Sequence, residues 1–251
     1  MLLVLAGIGG GLAGSIAGLA SLISYPVLLA LGLPPVTANV TNTVALVFSS
    51  AGSVSASRPE LRGQGHRVRQ LAFVGLAGGA GGGALLLLAP AGSFEAIVPW
   101  LIALASVAIL ARRRMVPAHE HEHEHEHEQV PRTPRRLVAG AAVIGVYGGY
   151  FGAGAGVMLL ALLLFVTDEP LPRCNALKNV VNGLANGIAA VGFAIFGHVH
   201  WAYVAPLGLG LFTGGRLGPA VVRRVPTGSL RVVIAVAGLG LAAKLAIDAY
   251  S

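Results

Sequence analysis

No Asp, Glu, Lys or Arg occurs before Arg58, and the stretches Leu137 to Thr167 and Asn179 to Gly215 are equally free of them. Placing an arginine or aspartate at the centre of a bilayer costs roughly 2.5–3.5 kcal/mol on insertion scales, so long charge-free runs are what lipid selects. Within lipid every backbone polar group must find its partner inside the crossing segment, which an apolar helix achieves. The chain therefore reads as an all-α, polytopic integral membrane protein.

Composition agrees, with 55% hydrophobic and 11% charged residues. Glycine occurs 36 times in 251 residues, about twice its usual share of roughly 7%, and small residues let helix backbones approach closely in lipid. Met1 leads into apolar sequence with neither a basic leader nor a small-residue cleavage pattern, so the first segment is expected to remain in the mature protein. A net charge of +7 in a soluble domain would suggest nucleic acid. Here the arginines sit in short loops between apolar segments, so they report topology and no nucleic-acid partner is expected. Cys174 stands alone and supports no disulfide.

At about 20 residues per span of a roughly 30 Å hydrocarbon core, six ordinary spans fit near 37–57, 70–89, 96–111, 174–197, 202–222 and 232–248. Residues 2–32 and 137–167 are too long for one span and too short for two. Each is interrupted midway by small residues, from Gly14 to Ser21 in the first and from Gly148 to Gly156 in the second. Each reads as a re-entrant hairpin of two half-helices. With both hairpins returning to their own side, Arg58, Arg62, Arg67, Arg69, Arg112 to Arg114, Arg132, Arg135, Arg136, Arg173, Arg223, Arg224 and Arg231 all fall on one face. The other face receives Leu33 to Val36, Pro90 to Glu95 and His198 to Trp201, without Lys or Arg. The positive-inside rule makes the arginine face cytoplasmic and puts both termini outside. Single spans in place of the hairpins would leave Arg223, Arg224 and Arg231 outside.

The same count shows a repeat: a hairpin and then three spans, twice, giving a first repeat at 1–111, a His/Glu-rich linker at 112–136 and a second repeat at 137–251. Three crossings per half make the second copy inverted, and inverted repeats with broken helices build transporter sites near the bilayer midplane. Thr41-Asn42-Thr43-Val44 of the first half falls opposite Lys178-Asn179-Val180-Val181 of the second.

The Gly-rich broken helix opening each half, the Gly-Leu-Pro-Pro turn at Gly32 to Pro35 and the Asn-Ala-Leu-Lys-Asn element at Asn175 to Asn179 resemble the TauE/SafE sulfite exporter family of membrane permeases. The likeness covers nearly the whole chain outside 112–136, and Leu19-Ala20-Ser21 stands where consecutive glycines are common in the family. The resemblance implies transport of sulfite or related organosulfur anions such as sulfonates.

Asn175, Lys178, Asn179 and Asn182 are spaced by three and four and so share a helix face. Either Lys178 snorkels to the headgroups, or its ammonium balances an anion whose oxygens accept hydrogen bonds from the asparagine amides. Asn39, Thr41, Asn42 and Thr43 are the counterpart in the first half, as interhelical glue or as further donors. The hairpin tips, near Gly14, Ala17, Gly18, Ser21, Gly152, Gly154 and Gly156, either pack tightly or present half-helix N-termini to an anion. Arg216 is a second anion contact or an interfacial arginine, and His198, His200 and Trp201 mark the outer interface.

No Asp or Glu lies inside any expected span, since Glu95, Asp168, Glu169 and Asp248 fall at edges or loops. Cation carriers place carboxylates at the midplane and an intramembrane hydrolase needs a carboxylate pair, so a cation pump and an enzyme are both disfavoured. The alternating run from His119 to Glu128 matches no defined metal-ligand spacing and reads as a solvated linker, although imidazoles and carboxylates do bind divalent ions. The leading expectation is a cofactor-free secondary transporter of a small anion in a bacterial inner membrane, the abundance of arginine over lysine suggesting a GC-rich genome. Lipid and a possible second copy of the chain are its expected partners. A divalent-metal permease using the His/Glu run and a non-transporting membrane sensor subunit are the competing readings.

Overall fold

The computed structural model describes residues 1–90, 92–115, 134–167 and 169–223 together with 239, 240, 243, 246 and 247. The His/Glu run, most of the expected linker and most of the expected span at 232–248 lie outside the described residues. Among these there are ten α-helices and no strand: α1 (Leu2–Ala17), α2 (Ala20–Ala30), α3 (Pro35–Ala56), α4 (Arg58–Leu61), α5 (Gly65–Leu88), α6 (Ser93–Met115), α7 (Arg135–Tyr150), α8 (Ala155–Val166), α9 (Leu171–Phe196) and α10 (Trp201–Val222).

Both long apolar stretches are broken where the small residues cluster. α1 ends on Gly18, whose left-handed φ of 78° lets Gly18 N–H return to the Gly14 carbonyl at 2.7 Å and Leu19 N–H to the Ala13 carbonyl at 3.3 Å, closing the last turn. Two glycines with φ of 76°, Gly152 and Gly154, turn the chain between α7 and α8. α3 and α9 both start directly after a proline in extended conformation, Pro34 and Pro170, with another proline in the first turn. That position costs no hydrogen bond and pre-sets φ.

α5, with 24 residues, and α9, with 26, are long and apolar enough to cross a membrane. α3 and α10, at 22 residues each, reach about 33 Å but are less apolar, α3 through its Asn, Thr and Ser residues and α10 through Arg216, Pro206 and Pro219. Large apolar side chains such as Phe73, Val143, Phe165, Ile195 and Phe196 are exposed on the outside of the bundle, whereas Asn39, Thr41, Asn42, Asn175, Lys178 and Asn179 are buried within it. That is the pattern of a bundle whose solvent is hydrocarbon.

The described bundle contains two triplets of parallel helices. α10 runs alongside α1, with Gly7 against Leu207 and Gly11 against Leu211, and alongside α3, with Gly208 against Phe48 and Gly215 against Ser49. α5 runs alongside α7, with Gly78 against Gly145 and Gly82 against Gly149, and alongside α9, with Gly75 against Val181 and Gly79 against Ala185. In each triplet the first helix of one half packs on a later helix of the other. The triplets run oppositely. α3 and α10 finish where Arg223 donates to the Ala56 carbonyl at 3.1 Å and pairs with Glu60 at 2.6 Å. α5 and α9 begin where Glu169 pairs with Arg67 at 2.6 Å and with Arg173 at 2.8 Å. Arg173 also donates to the Arg62 carbonyl at 3.0 Å, joining these ends into one arginine-rich face. At the other end His200 N–H donates to Thr41 Oγ1 at 3.0 Å.

The helix contacts depend on missing side chains. A Cβ on Gly11 would run into the Leu211 carbonyl, and one on Gly82 into the Val146 carbonyl, whereas nothing lies within 4 Å of the same position at Gly9. Gly11→Val and Gly82→Val should therefore each destabilise the bundle by about 1–3 kcal/mol or more, and Gly9→Ala should be neutral. Thermal unfolding of the purified protein in detergent checks this, with monodispersity on size exclusion as the second readout.

Candidate functional site

The two breaks meet. Gly18, between α1 and α2, lies directly on Gly156 in the first turn of α8, and neither position has room for a Cβ. Beside this junction is a partly open cavity of about 40 Å³ lined by Gly14, Ser15, Gly18, Ala20 and Ser21 from the first break, Gly152 and Gly156 from the second, Leu46, Ser49, Ser50 and Ser53 of α3, and Asn179, Asn182 and Asn186 of α9. A smaller hollow of about 20 Å³ shares Gly152, Asn182 and Asn186 with it and continues between α7, α8 and α9.

The buried polar groups of α9 reach the C-terminal end of α1. Lys178, with no exposed surface, donates from Nζ to the Gly14 carbonyl at 2.9 Å and the Ser15 carbonyl at 3.2 Å. Asn175 Nδ2 donates to the Ser15 carbonyl at 2.9 Å, and Asn179 Nδ2 to the same oxygen at 3.4 Å. These are carbonyls of the last turn of α1, which carry its negative dipole end, and the Gly14 carbonyl also accepts from the Gly18 N–H at 2.7 Å. A buried ammonium answers both the hydrogen-bonding and the charge.

α3 does the same for the other half. Asn39 Nδ2 donates to the carbonyl of Tyr150, the final residue of α7, at 2.9 Å. Asn39 lies five residues past Pro34 and Asn175 five past Pro170, the two N-cap prolines. Counted from these prolines, Asn39 and Asn175 stand at the same distance along their helices, and so do Asn42 and Lys178. Asn42 accepts a hydrogen bond from Ser24 of α2 at 2.6 Å. Aromatic contacts stiffen the second break, with Phe151 edge-on to Tyr25 at 5.3 Å and to Phe94 at 5.7 Å.

Of the residues expected at a site, Gly18, Ser21, Gly156, Asn179 and Asn182 line the cavity together, with Gly14 and Gly152. Asn175 and Lys178 stand behind it on the α1 carbonyls. Asn39, Thr41 and Asn42 face Tyr150, His200 and Ser24, Thr43 is buried in α3, Ala17 is buried at the end of α1, and Gly154 caps α8. Arg216 is exposed and reaches Ser55 Oγ at 3.5 Å, away from the cavity lining. His200 stacks on Tyr203 with ring centres 4.1 Å apart, and Trp201 is exposed. Among the described residues no three His, Cys, Asp or Glu side chains gather as metal ligands would.

Sequence reasoning missed Ser15, Ser49, Ser50, Ser53 and Asn186. Asn186 was in reach, since it extends Asn179 and Asn182 by one more helical step. The serines were not, because a serine inside a helix ordinarily bonds to its own backbone, as Ser53 does to the Ser50 carbonyl at 3.1 Å.

Residues 3–245 match the family model described as sulfite exporter TauE/SafE. The chain belongs to that family. Similar proteins include the probable membrane transporter protein ORF9 of a Sinorhizobium species, 26% identical with 95% of this chain and 88% of that protein aligned. The probable membrane transporter protein YfcA of Escherichia coli K12 is 26% identical, with 96% and 87% aligned. A probable membrane transporter protein of Haemophilus influenzae is 25% identical, with 93% and 89% aligned. No solved structure matches. The chain is thus a membrane transporter of the TauE/SafE type and not an enzyme.

If Lys178 balances the end of α1, Lys178→Met should lower stability by about 1–3 kcal/mol through the charge-assisted hydrogen bonds it removes from the Gly14 and Ser15 carbonyls. Asn182→Ala, which leaves those carbonyls untouched, should change it little. Melting curves of the two variants in detergent make the comparison.

Proposed function

We propose that this TauE/SafE transporter is a secondary permease of a small anion, a sulfite or an organosulfur anion such as a sulfonate, and that the anion binds between the two helix breaks. The observation that carries this reading is the meeting of Gly18 and Gly156 beside a cavity lined by hydroxyls and amides, with the buried cation of Lys178 behind it. Hydroxyl and amide N–H groups are donors suited to oxyanion oxygens, and the first turns of α2 and α8 add backbone N–H groups and positive dipole ends. Among the described residues no carboxylate lines the cavity, which favours an anion over a metal ion as cargo. The substrate-binding set is Gly18, Ser21, Gly154, Gly156, Asn39, Thr41, Asn42, Thr43, Asn175, Lys178, Asn179 and Asn182, of which the cavity-lining members touch the anion and the others hold the breaks that shape it.

The architecture in this reading is two inverted repeats, each opening with a re-entrant hairpin, in a multi-pass protein of the bacterial inner membrane. The oppositely running triplets support it, as does the cluster of Leu71, Leu137, Leu163 and Leu177, which places the start of α7 beside the end of α8. Alternating exposure then follows from rocking one triplet against the other about the junction.

Reconstituted into liposomes, the protein should transport labelled sulfite or a sulfonate. Lys178→Ala should lose transport by about tenfold or more, Lys178→Arg should retain part of it, and deletion of residues 119–128 should leave it intact. Equal transport by wild type and Lys178→Ala would refute the role of the cation, and loss on deleting the His/Glu run would favour metal as cargo. In a Cys174→Ser background, Arg62→Cys and Arg223→Cys should be labelled from the same side of the membrane and His198→Cys from the other; labelling of Arg62→Cys and Arg223→Cys from opposite sides would overturn the inverted arrangement.

A further inference from the structure

We propose that the rings of Tyr25, Phe94 and Phe151 form a gate that closes the cavity toward the face opposite the arginines, with Phe151, carried on the α7–α8 break itself, as its moving part. The inference rests on the alternating-exposure reading above and names the residues that shut one side.

Levels across the bundle can be measured along α3. It finishes at the arginine-rich face, where the Ala56 carbonyl accepts from Arg223 at 3.1 Å. The cavity is lined by Leu46, Ser49, Ser50 and Ser53 of this helix. Ser53 stands three residues before Ala56, so the cavity wall comes within about 5 Å of that end. The smaller hollow extends from the break along Gly148, Gly145, Ile144 and Ala141 of α7. α7 runs parallel to α5, which starts at the arginine-rich face, so this hollow leads the same way.

The rings lie beyond the cavity in the other direction. Tyr25 follows Ser24, whose hydroxyl donates to Asn42 of α3 at 2.6 Å. Phe151 follows Tyr150, whose carbonyl accepts from Asn39 of α3 at 2.9 Å. Both levels belong to the far end of α3, where His200 N–H reaches Thr41 at 3.0 Å. Phe94 opens α6, just past the far end of α5. Three separate elements thus contribute one ring each. Phe151 is edge-on to Tyr25 at 5.3 Å and to Phe94 at 5.7 Å, and all three are buried. Phe151 adjoins Gly152 and Tyr25 lies one helical turn past Ser21, both of which line the cavity. Rings at these separations are in contact, so an anion passing the break toward the far face has to part them.

Two further observations point to a closure made to reopen. The Tyr25 hydroxyl is buried without a hydrogen-bond partner among the described residues. An unpaired buried hydroxyl costs free energy, which water returns once the rings separate, so ring packing is opposed by a group on one of the rings. Phe151 is also followed by Gly152 and Gly154, each at a φ of 76°. A few residues that absorb large backbone rotations are what a hinge requires, and Tyr25 and Phe94 have no such neighbours within their helices.

The test is thiol labelling of the full-length protein in membrane vesicles of both orientations. Ser50→Cys is placed in a Cys174→Ser background and treated with a membrane-impermeant methanethiosulfonate. Labelling tracks the fraction of time that a side is open, so the arginine-rich face should react faster than the far face by about tenfold or more. Adding Phe151→Ala should raise the far-face rate until the two are comparable. Phe151→Leu, which keeps more of the packing, should act in the same direction and stands in if Phe151→Ala is not monodisperse. Tyr25→Phe removes the opposing hydroxyl and should do the reverse, slowing far-face labelling several-fold while raising the melting temperature. Equal reaction from both faces, reaction from neither, or a far-face rate untouched by the Phe151 variants overturns the gate. These readouts need no transported anion, so the permease reading fails separately, if no labelled anion crosses.

Discussion

A helix that stops inside a packed bundle leaves carbonyls and N–H groups with no water to receive them, and the described structure is organised around answering that cost. Each break is answered from the other half of the chain. Asn175 and Lys178 of α9 hold the end of α1, and Asn39 of α3 holds the end of α7. Because each hydrogen bond costs several kcal/mol to forgo in hydrocarbon, neither half can present its break without its counterpart. The exchange also fixes where the breaks lie relative to one another, so that Gly18 and Gly156 touch and a cavity remains at their side.

The polar residues in α3 and α9 thus have two tasks that sequence reasoning could not separate. Lys178 was legible as unusual, since it stands in an apolar helix with asparagines at three- and four-residue spacing. Its partners were not, because the Gly14 and Ser15 carbonyls are backbone groups that every residue carries, and only the fold decides which are left open. The same limit applies to matching Thr41-Asn42-Thr43 with the run around Lys178. The Thr-Asn-Thr and Lys-Asn runs look alike as strings, but the structural constraint is distance from the N-cap proline, which sets how far along the helix an amide meets the opposing break.

Much of the architecture was readable for a simple physical reason. Charge is excluded from lipid so strictly that its absence marks the apolar segments, and helix breaks in lipid need small residues so regularly that Gly18, Gly152 and Gly154 announce them. The pairing of helices was less readable. Gly7, Gly11, Gly78, Gly82, Gly145 and Gly149 sit at four-residue spacing on helix faces, yet such a spacing states only that another backbone comes close, not whose. That α1 seeks α10 and α7 seeks α5 emerges only when both triplets are packed.

Asymmetry between the halves is where function departs from scaffold. Asn39 and Asn175 each stand five residues past an N-cap proline and each donates to a carbonyl near the end of a broken helix, and three residues further on come Asn42 and Lys178. A neutral amide suffices to satisfy a carbonyl, as Asn39 does for Tyr150, so hydrogen bonding alone does not require a cation at 178. Burying an ammonium there costs desolvation that an asparagine would avoid. The cost of burying a lysine at 178 is offset in part by the Gly14 and Ser15 carbonyls that accept from its Nζ, contacts that tie the middle of α9 to the last turn of α1.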